Sequence, residues 1–213
     1  MKPIRFASLM VFTALSCTAL VANAAETAAS PGVAFGKPAP LRTVRMKSVS
    51  GAELSIAEAA GKKGTLVLFI CNHCPWVKAW QTRIATLGNA ALEQGIGVIA
   101  INSNDPAIFP EDSFDEMKER AKEIGYKFPY AMDATSDIAR AFGATHTPEV
   151  YLFDAKGRLV YHGAVDDNAK EEGAVQHRWL REAVEALASG KPQPVAETKA
   201  LGCGIRPREK TSS

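Results

Sequence analysis

Cys71 and Cys74 stand two residues apart, with Asn72 and His73 between them, directly after the strand-prone run Thr65–Ile70. An amphipathic stretch begins immediately beyond Pro75. Two thiols at this spacing, where a buried strand meets a helix, read as a redox pair. A cysteine attacks as its thiolate, and its pKa, about 8.5 when free, falls to roughly 3.5–7.5 at a helix N-terminus or beside a histidine. The unpaired amides and positive dipole end of a helix favour an anion at that place. His73 can donate to the thiolate or, when protonated, attract it. Stabilising the thiolate makes the disulfide a stronger oxidant, so this pair is expected to be more oxidising than one enclosing Gly-Pro.

Pro75 bears on the roles of the two cysteines. Were the helix to begin at Cys71, Pro75 would lack the amide that bonds back to the Cys71 carbonyl. With Cys74 as the cap, Pro75 becomes the first helical residue, where proline costs little. That arrangement leaves Cys71 on the preceding loop as the exposed nucleophile and makes Cys74 the resolving partner.

The elements that must hold this pair follow from periodicity. Thr65–Ile70 and Ile96–Ile101 are short apolar runs, expected as buried strands. Val77, Trp80, Ile84, Leu87 and Ala91 recur at helical spacing and predict a helix from Pro75 to Leu92. Phe114, Met117, Ala121 and Ile124 mark a second helix capped by Asp112 or Ser113, and Ser136–Phe142 a short third one. Phe128–Met132 is a candidate strand. Glu149–Phe153 and Arg158–His162, joined by Asp-Ala-Lys-Gly, predict a hairpin, and Trp179–Leu187 a last helix. Leu41–Val49 is a short strand or hairpin, and Ser55 can cap a helical piece over 56–60. Strands alternating with helices imply a parallel core sheet, here closed by an antiparallel hairpin.

The chain has 213 residues, 25 basic and 23 acidic. Residues 1–24 have the pattern of a cleavable signal peptide: a charged start at Lys2 and Arg5, an apolar run to Val21, and Ala22-Asn23-Ala24 as the cleavage site. Cleavage removes two bases and leaves 23 charges of each sign, which gives no ground for nucleic acid or anionic lipid as a partner. No stable membrane span remains after it. The expected location is periplasmic or secreted, where disulfides persist. Cleavage also removes Cys17 and leaves three cysteines, so at least one thiol is free, reactive or transiently paired. Residues 25–40 read as a flexible lead-in, 41–191 as the domain, and 192–213 as a C-terminal tail carrying Cys203.

The βαβ context, the C-x-x-C and the segment Thr147-Pro148 to Asp154 resemble the thioredoxin superfamily. The chain is most similar to its peroxiredoxin-like branch, on three motifs: Phe69-Ile70-Cys71-Asn72-His73-Cys74-Pro75, Ala100-Ile101-Asn102-Ser103-Asn104-Asp105 and Gly202-Cys203-Gly204-Ile205-Arg206. The resemblance implies an α/β thioredoxin-like fold, a central mixed sheet flanked by helices with an inserted strand–helix unit. It implies a cis bond before Pro148, with the Thr147 backbone facing Cys71 and pairing with a substrate chain. The activity expected is thiol–disulfide exchange through a Cys71–Cys74 disulfide. No cofactor beyond that disulfide is expected, and the partners are protein thiols or disulfides and a redox-recycling partner. The P-x-x-x-T-x-x-C frame of true peroxiredoxins is absent, since Gly64 and Leu68, or Val67 and Cys71, fill those positions. A thiol-dependent peroxidase is therefore the alternative rather than the first reading.

Other residues carry secondary expectations. Trp76 can line a substrate groove, and Glu149 can accept the proton of Cys74 or be an exposed carboxylate at a strand start. Cys203 is either a free tail thiol or an extra relay to the pair. Cys71, Cys74 and His146 form a weak soft N/S alternative for copper or zinc, with a metal-binding chaperone as the function it would imply, although copper-delivering proteins on this fold space their cysteines wider. His162 and His177 are expected to be structural or surface groups, and Asp166-Asp167 and Glu171-Glu172 a solvated acidic loop.

Overall fold

The computed structural model describes Met1 and residues 32–210; the expected signal peptide lies outside that range. In chain order the elements are β1 (Met46–Ser48), β2 (Glu53–Leu54), β3 (Gly64–Phe69), α1 (Pro75–Glu93), β4 (Ile96–Asn102), α2 (Phe114–Ile124), β5 (Tyr130–Met132), α3 (Asp137–Phe142), β6 (His146–Thr147), β7 (Glu149–Asp154), β8 (Leu159–Gly163), α4 (Trp179–Ala188) and β9 (Cys203–Gly204). Seven strands form one sheet in the order β2-β1-β5-β4-β3-β7-β8. β3, β4 and β5 run parallel, while β7 is antiparallel to β3, β8 to β7, and β1 to β5.

β3 is an interior strand between β4 and β7, and every residue of it is buried. Successive side chains point to opposite faces, so the continuous apolar run supplies two cores. Leu66, Leu68 and Ile70 pack with Trp80 and Ile84 of α1 and Leu180 and Val184 of α4. Val67 and Phe69 pack on the other face with Ile138 and Phe142 of α3. The register sets Phe69 beside Ile101 of β4 and beside Glu149 of β7. The carboxyl ends of the parallel strands and the start of β7 therefore converge on one edge, where open α/β sheets place their sites.

The sheet leaves no room for a side chain at Gly97 in β4. A β-carbon there would overlap the Ala59 carbonyl and the Gly61 amide, both backbone atoms of the facing turn. Gly97→Ala is expected to cost about 2–3 kcal/mol through overpacking, read as a lower urea midpoint with an unchanged slope.

Three expectations change. Residues 56–60 form a turn, not a helix. Ser55 and Glu58 still make the reciprocal bonds of a helix start: the Ser55 amide donates to Glu58 Oε2 (2.8 Å) and the Glu58 amide to Ser55 Oγ (3.3 Å). Gly61 follows too soon for a helix to propagate. The described part of the lead-in, 32–40, is docked: the Val33 amide bonds the Phe142 carbonyl, and Gly36 and Lys37 pair with Leu159. Asp166 is buried, not solvated, because it accepts from Trp80 Nε1 (2.7 Å) and pairs with Arg83 (2.5 Å).

Candidate functional site

α1 begins at Pro75 with Cys74 as its N-cap, in extended conformation (φ −63°, ψ 123°), and the Cys74 carbonyl accepts from the Lys78 amide at 3.0 Å. This is the arrangement that Pro75 favours. Cys71 ends the loop from β3, and Cys74 starts the helix. Both sulfurs meet Thr147, which the β3–β7 register carries to this edge. Cys71 Sγ lies 3.1 Å from the Thr147 hydroxyl, and Cys74 Sγ lies 3.2 Å from the Thr147 carbonyl. The Thr147–Pro148 bond is cis, as the resemblance implies.

Cys71 is not the exposed thiol of the pair. Cys71 is 2 % exposed and Cys74 fully buried, whereas Cys203 is partly open to solvent. Cys203 Sγ lies 2.6 Å from Cys74 Sγ, and all three cysteines are free thiols. Cys74 is thus the middle member of a three-thiol cluster. As a thiol it can donate to the Thr147 carbonyl. As a thiolate it accepts from Cys71 and Cys203, and these bonds hold its pKa down to about 5 against the opposing effect of burial. Burial, its bond to Cys74 and the Asp112 carboxylate push Cys71 up. Burial and the Cys74 sulfur raise Cys203 to about 11.

Asp112 is one of the two residues, with Ser113, expected to cap α2. Ser113 is the residue at the start of α2, and the fully buried Asp112 turns to the cysteine loop instead. Its Oδ1 accepts from the Asn72 amide (2.6 Å), and its Oδ2 lies 2.5 Å from His73 Nδ1. The His73 ring stacks on Phe109, with centroids 3.7 Å apart. His73 Nδ1 is therefore committed to Asp112. Asn72 is fixed too, by the Glu111 carbonyl (2.8 Å) and the Tyr130 hydroxyl (3.2 Å). Nothing local in the sequence links Asp112 to His73, 39 residues away.

Glu149 is neither exposed nor aimed at Cys74. It is 2 % exposed and accepts from the Thr145 and His146 amides (2.8 and 2.9 Å), the Tyr151 hydroxyl (2.8 Å) and His162 Nε2 (2.8 Å). Burial works to raise its pKa, but these donors outweigh burial and lower it. Its carboxylate fastens the loop that carries Thr147. His146 Nδ1 bonds the Thr145 hydroxyl (2.8 Å) and does not join the cysteines. Among the described residues, the group whose ligand atoms come within 4.8 Å of one another is Cys71, His73 and Asp112, not Cys71, Cys74 and His146. Trp76 is half-exposed beside the site and tilts against the buried Trp80, 5.7 Å away.

The tail is anchored rather than free. β9 pairs antiparallel with β6, with Cys203 opposite Thr147 and Gly204 opposite His146. The chain's own tail thus takes the edge of Thr147 at which a substrate strand is expected. Gly202 permits the approach, since a β-carbon there would overlap the Thr147 carbonyl. The Ile205 amide bonds the Thr145 carbonyl, the Arg206 amide bonds Asn104 Oδ1, and the Asp105 amide bonds the Arg206 carbonyl, each at 2.8 Å. Two motifs that look independent in the sequence, Ala100–Asp105 and Gly202–Arg206, are therefore halves of one contact.

A family model described as Redoxin matches residues 34–177. A curated relative, the thiol-disulfide oxidoreductase ResA of Halalkalibacterium halodurans, is 24 % identical over 129 residues, which cover 60 % of this chain and 69 % of that protein. A solved structure of an uncharacterized conserved protein from Geobacillus kaustophilus is 36 % identical and covers 85 % of this chain and 96 % of its own, with a TM-score of 0.78. A thioredoxin-like protein solved in its oxidised form is 20 % identical, with a TM-score of 0.57 over 73 % of this chain and 97 % of that one, and shows the shared fold.

Proposed function

The chain belongs to the Redoxin family, and from that premise we propose that it is a thiol–disulfide oxidoreductase working through Cys71 and Cys74. One observation carries the reading: the loop from β3 and the start of α1 bring both sulfurs onto Thr147, Cys71 at its hydroxyl and Cys74 at its carbonyl. The similarity to a thiol-disulfide oxidoreductase supports it.

The chemistry follows from two thiols placed around one threonine. Cys71 gives its proton to the Cys74 thiolate as it attacks one sulfur of a partner disulfide. The Cys71–partner bond forms, the partner's S–S bond breaks, and the second partner sulfur leaves with the electron pair. Cys74 returns the proton to that leaving thiolate. The Cys74 thiolate then attacks Cys71 Sγ, the Cys71–partner bond breaks, and the partner sulfur held there leaves as a thiolate that takes a proton from solvent, leaving a Cys71–Cys74 disulfide. The Thr147 hydroxyl, 3.1 Å from Cys71, donates to the developing Cys71 thiolate. Exchange also runs in reverse, and the potentials of the partners set its direction. The partners are protein disulfides or thiols and a recycling dithiol. The N-terminal pattern supports action in the periplasm or outside the cell; among the described residues no helix is long and apolar enough to cross a membrane.

The test is trapping. In a Cys74→Ala, Cys203→Ala double variant, a model peptide disulfide is expected to remain attached to Cys71, as seen by peptide mapping, while the wild type turns it over. Rapid hydrogen peroxide consumption by the wild type with no disulfide exchange and no adduct would overturn the reading in favour of a peroxidase.

A further inference from the structure

We propose that Cys203 is a third catalytic cysteine, which takes over Cys74 in a Cys74–Cys203 disulfide and so sets Cys71 free while the protein stays oxidised. The inference rests on the exchange activity proposed above.

Three observations carry it. The first is distance. Cys203 Sγ is 2.6 Å from Cys74 Sγ, only about 0.6 Å beyond a covalent S–S bond. The second is that the position is built. On the carboxyl side of Cys203, β9 pairs with β6 and the Arg206 amide is held by Asn104. On the amino side, Thr198 Oγ1 accepts from the Ala164 amide (3.0 Å) and meets the Tyr161 hydroxyl (3.0 Å), and the His162 amide bonds the Ala196 carbonyl (3.0 Å). Anchors on both sides set Cys203 at this distance from Cys74 in the folded chain. The third is access: Cys203 is the partly open member of a cluster whose other two thiols are buried. A disulfide that includes Cys203 therefore lies nearer solvent than Cys71–Cys74 does.

The step is an internal exchange. In the Cys71–Cys74 form, the Cys203 thiolate attacks Cys74 Sγ. The Cys74–Cys203 bond forms, the Cys71–Cys74 bond breaks, and the electron pair leaves on Cys71, which takes up the proton lost by Cys203. One disulfide is exchanged for another, with no net oxidation and no outside reagent. Thr147 serves both forms, since its hydroxyl meets Cys71 while its strand neighbour is Cys203.

The test maps the disulfide in the full-length chain carrying Cys17→Ser. The protein is oxidised with glutathione disulfide until one internal bond has formed, the remaining thiol is alkylated, and the peptides are sequenced. The label is expected to divide between Cys71 and Cys203, with the Cys74 peptide linked to the Cys203 peptide in the fraction labelled at Cys71. With Cys71→Ser added, that cross-link is expected as the main internal product. Label found only on Cys203 in the three-cysteine protein, together with separate glutathione adducts in place of a cross-link in the Cys71→Ser protein, would overturn the proposal. Insulin disulfide reduction by the three-cysteine protein is measured in parallel. Its loss with the cross-link present would count against the exchange activity and leave the Cys203 assignment standing; its presence with no cross-link would do the reverse.

Discussion

Glu149→Ala is expected to lower stability by about 3–5 kcal/mol and, in the fraction still folded, to reduce disulfide exchange at least about tenfold. The stability term comes from what is left behind. The Thr145 and His146 amides and the Tyr151 hydroxyl each lose an acceptor in or near the interior, and removing one member of a buried charged network costs several kcal/mol. Against a typical total of about 5–15 kcal/mol this is a large fraction. The activity term comes from position, because those two amides fix the loop that sets Thr147 against both sulfurs. Glu149→Gln keeps an acceptor oxygen and should lose less on both counts. Urea melts and insulin reduction at a temperature where both variants are folded separate the two effects. The network also has a pH signature. Glu149 is lowered in the folded state, so its contribution is present above its unfolded value of about 4.3 and fades as pH falls through the folded one. For His162, burial alone would lower the pKa, but Glu149 and Glu197 more than offset it and raise it. Its contribution is complete below about 6.5 and fades as pH rises through the folded value. His162→Ala should flatten the stability profile at the alkaline side of that window.

Asp112→Asn is expected to make Cys71 about tenfold more reactive toward iodoacetamide at a fixed pH. Asp112 is among the groups that push Cys71 up, and removal of a like charge near a thiolate is worth one pKa unit or more. Asparagine can still accept the Asn72 amide, so the loop is retained. Asp112→Ala removes that acceptor as well and should destabilise by about 2–3 kcal/mol. The reduction potential is expected to rise in Asp112→Asn, since a more stable thiolate favours the reduced pair. An unchanged alkylation rate in a folded Asp112→Asn protein would show that Asp112 serves only to hold the loop. The oxidising bias expected of His73 alone has to be weighed against this carboxylate, which the histidine faces at 2.5 Å.

The central sheet was legible because its signals are local. β3 and β4 are continuous apolar runs, α1 has five apolar positions at helical spacing, and Pro75 marks the helix start within one residue. The β7–β8 hairpin announced itself through its turn. What escaped reading was long-range. β9 is two residues long, too short for any periodicity, and its strand exists only because β6 offers an edge. Asp112 looks like every acid ahead of a helix, and only tertiary packing turns it toward Asn72 and His73. Glu149 was read from its place at a strand start, which says nothing of the four donors that the fold brings to it. Asp166 sits among other acids and glycine, so its burial against Trp80 and Arg83 leaves no compositional trace.

The pairing of β9 with β6 has a mechanical consequence. The two cysteines of the helix start are seated in the most protected part of the molecule, against β3 and α1, whereas Cys203 is held by a strand of two residues and a few bonds on either side of it. Peeling that strand away breaks its bonds to β6 and lifts Leu201 and Cys203 from one core and Ile205 from the other while the seven-stranded sheet stays paired, a sub-global opening rather than unfolding. Access to Cys71 can then be governed by a reversible detachment at the end of the chain, and the sheet beneath need not breathe at all.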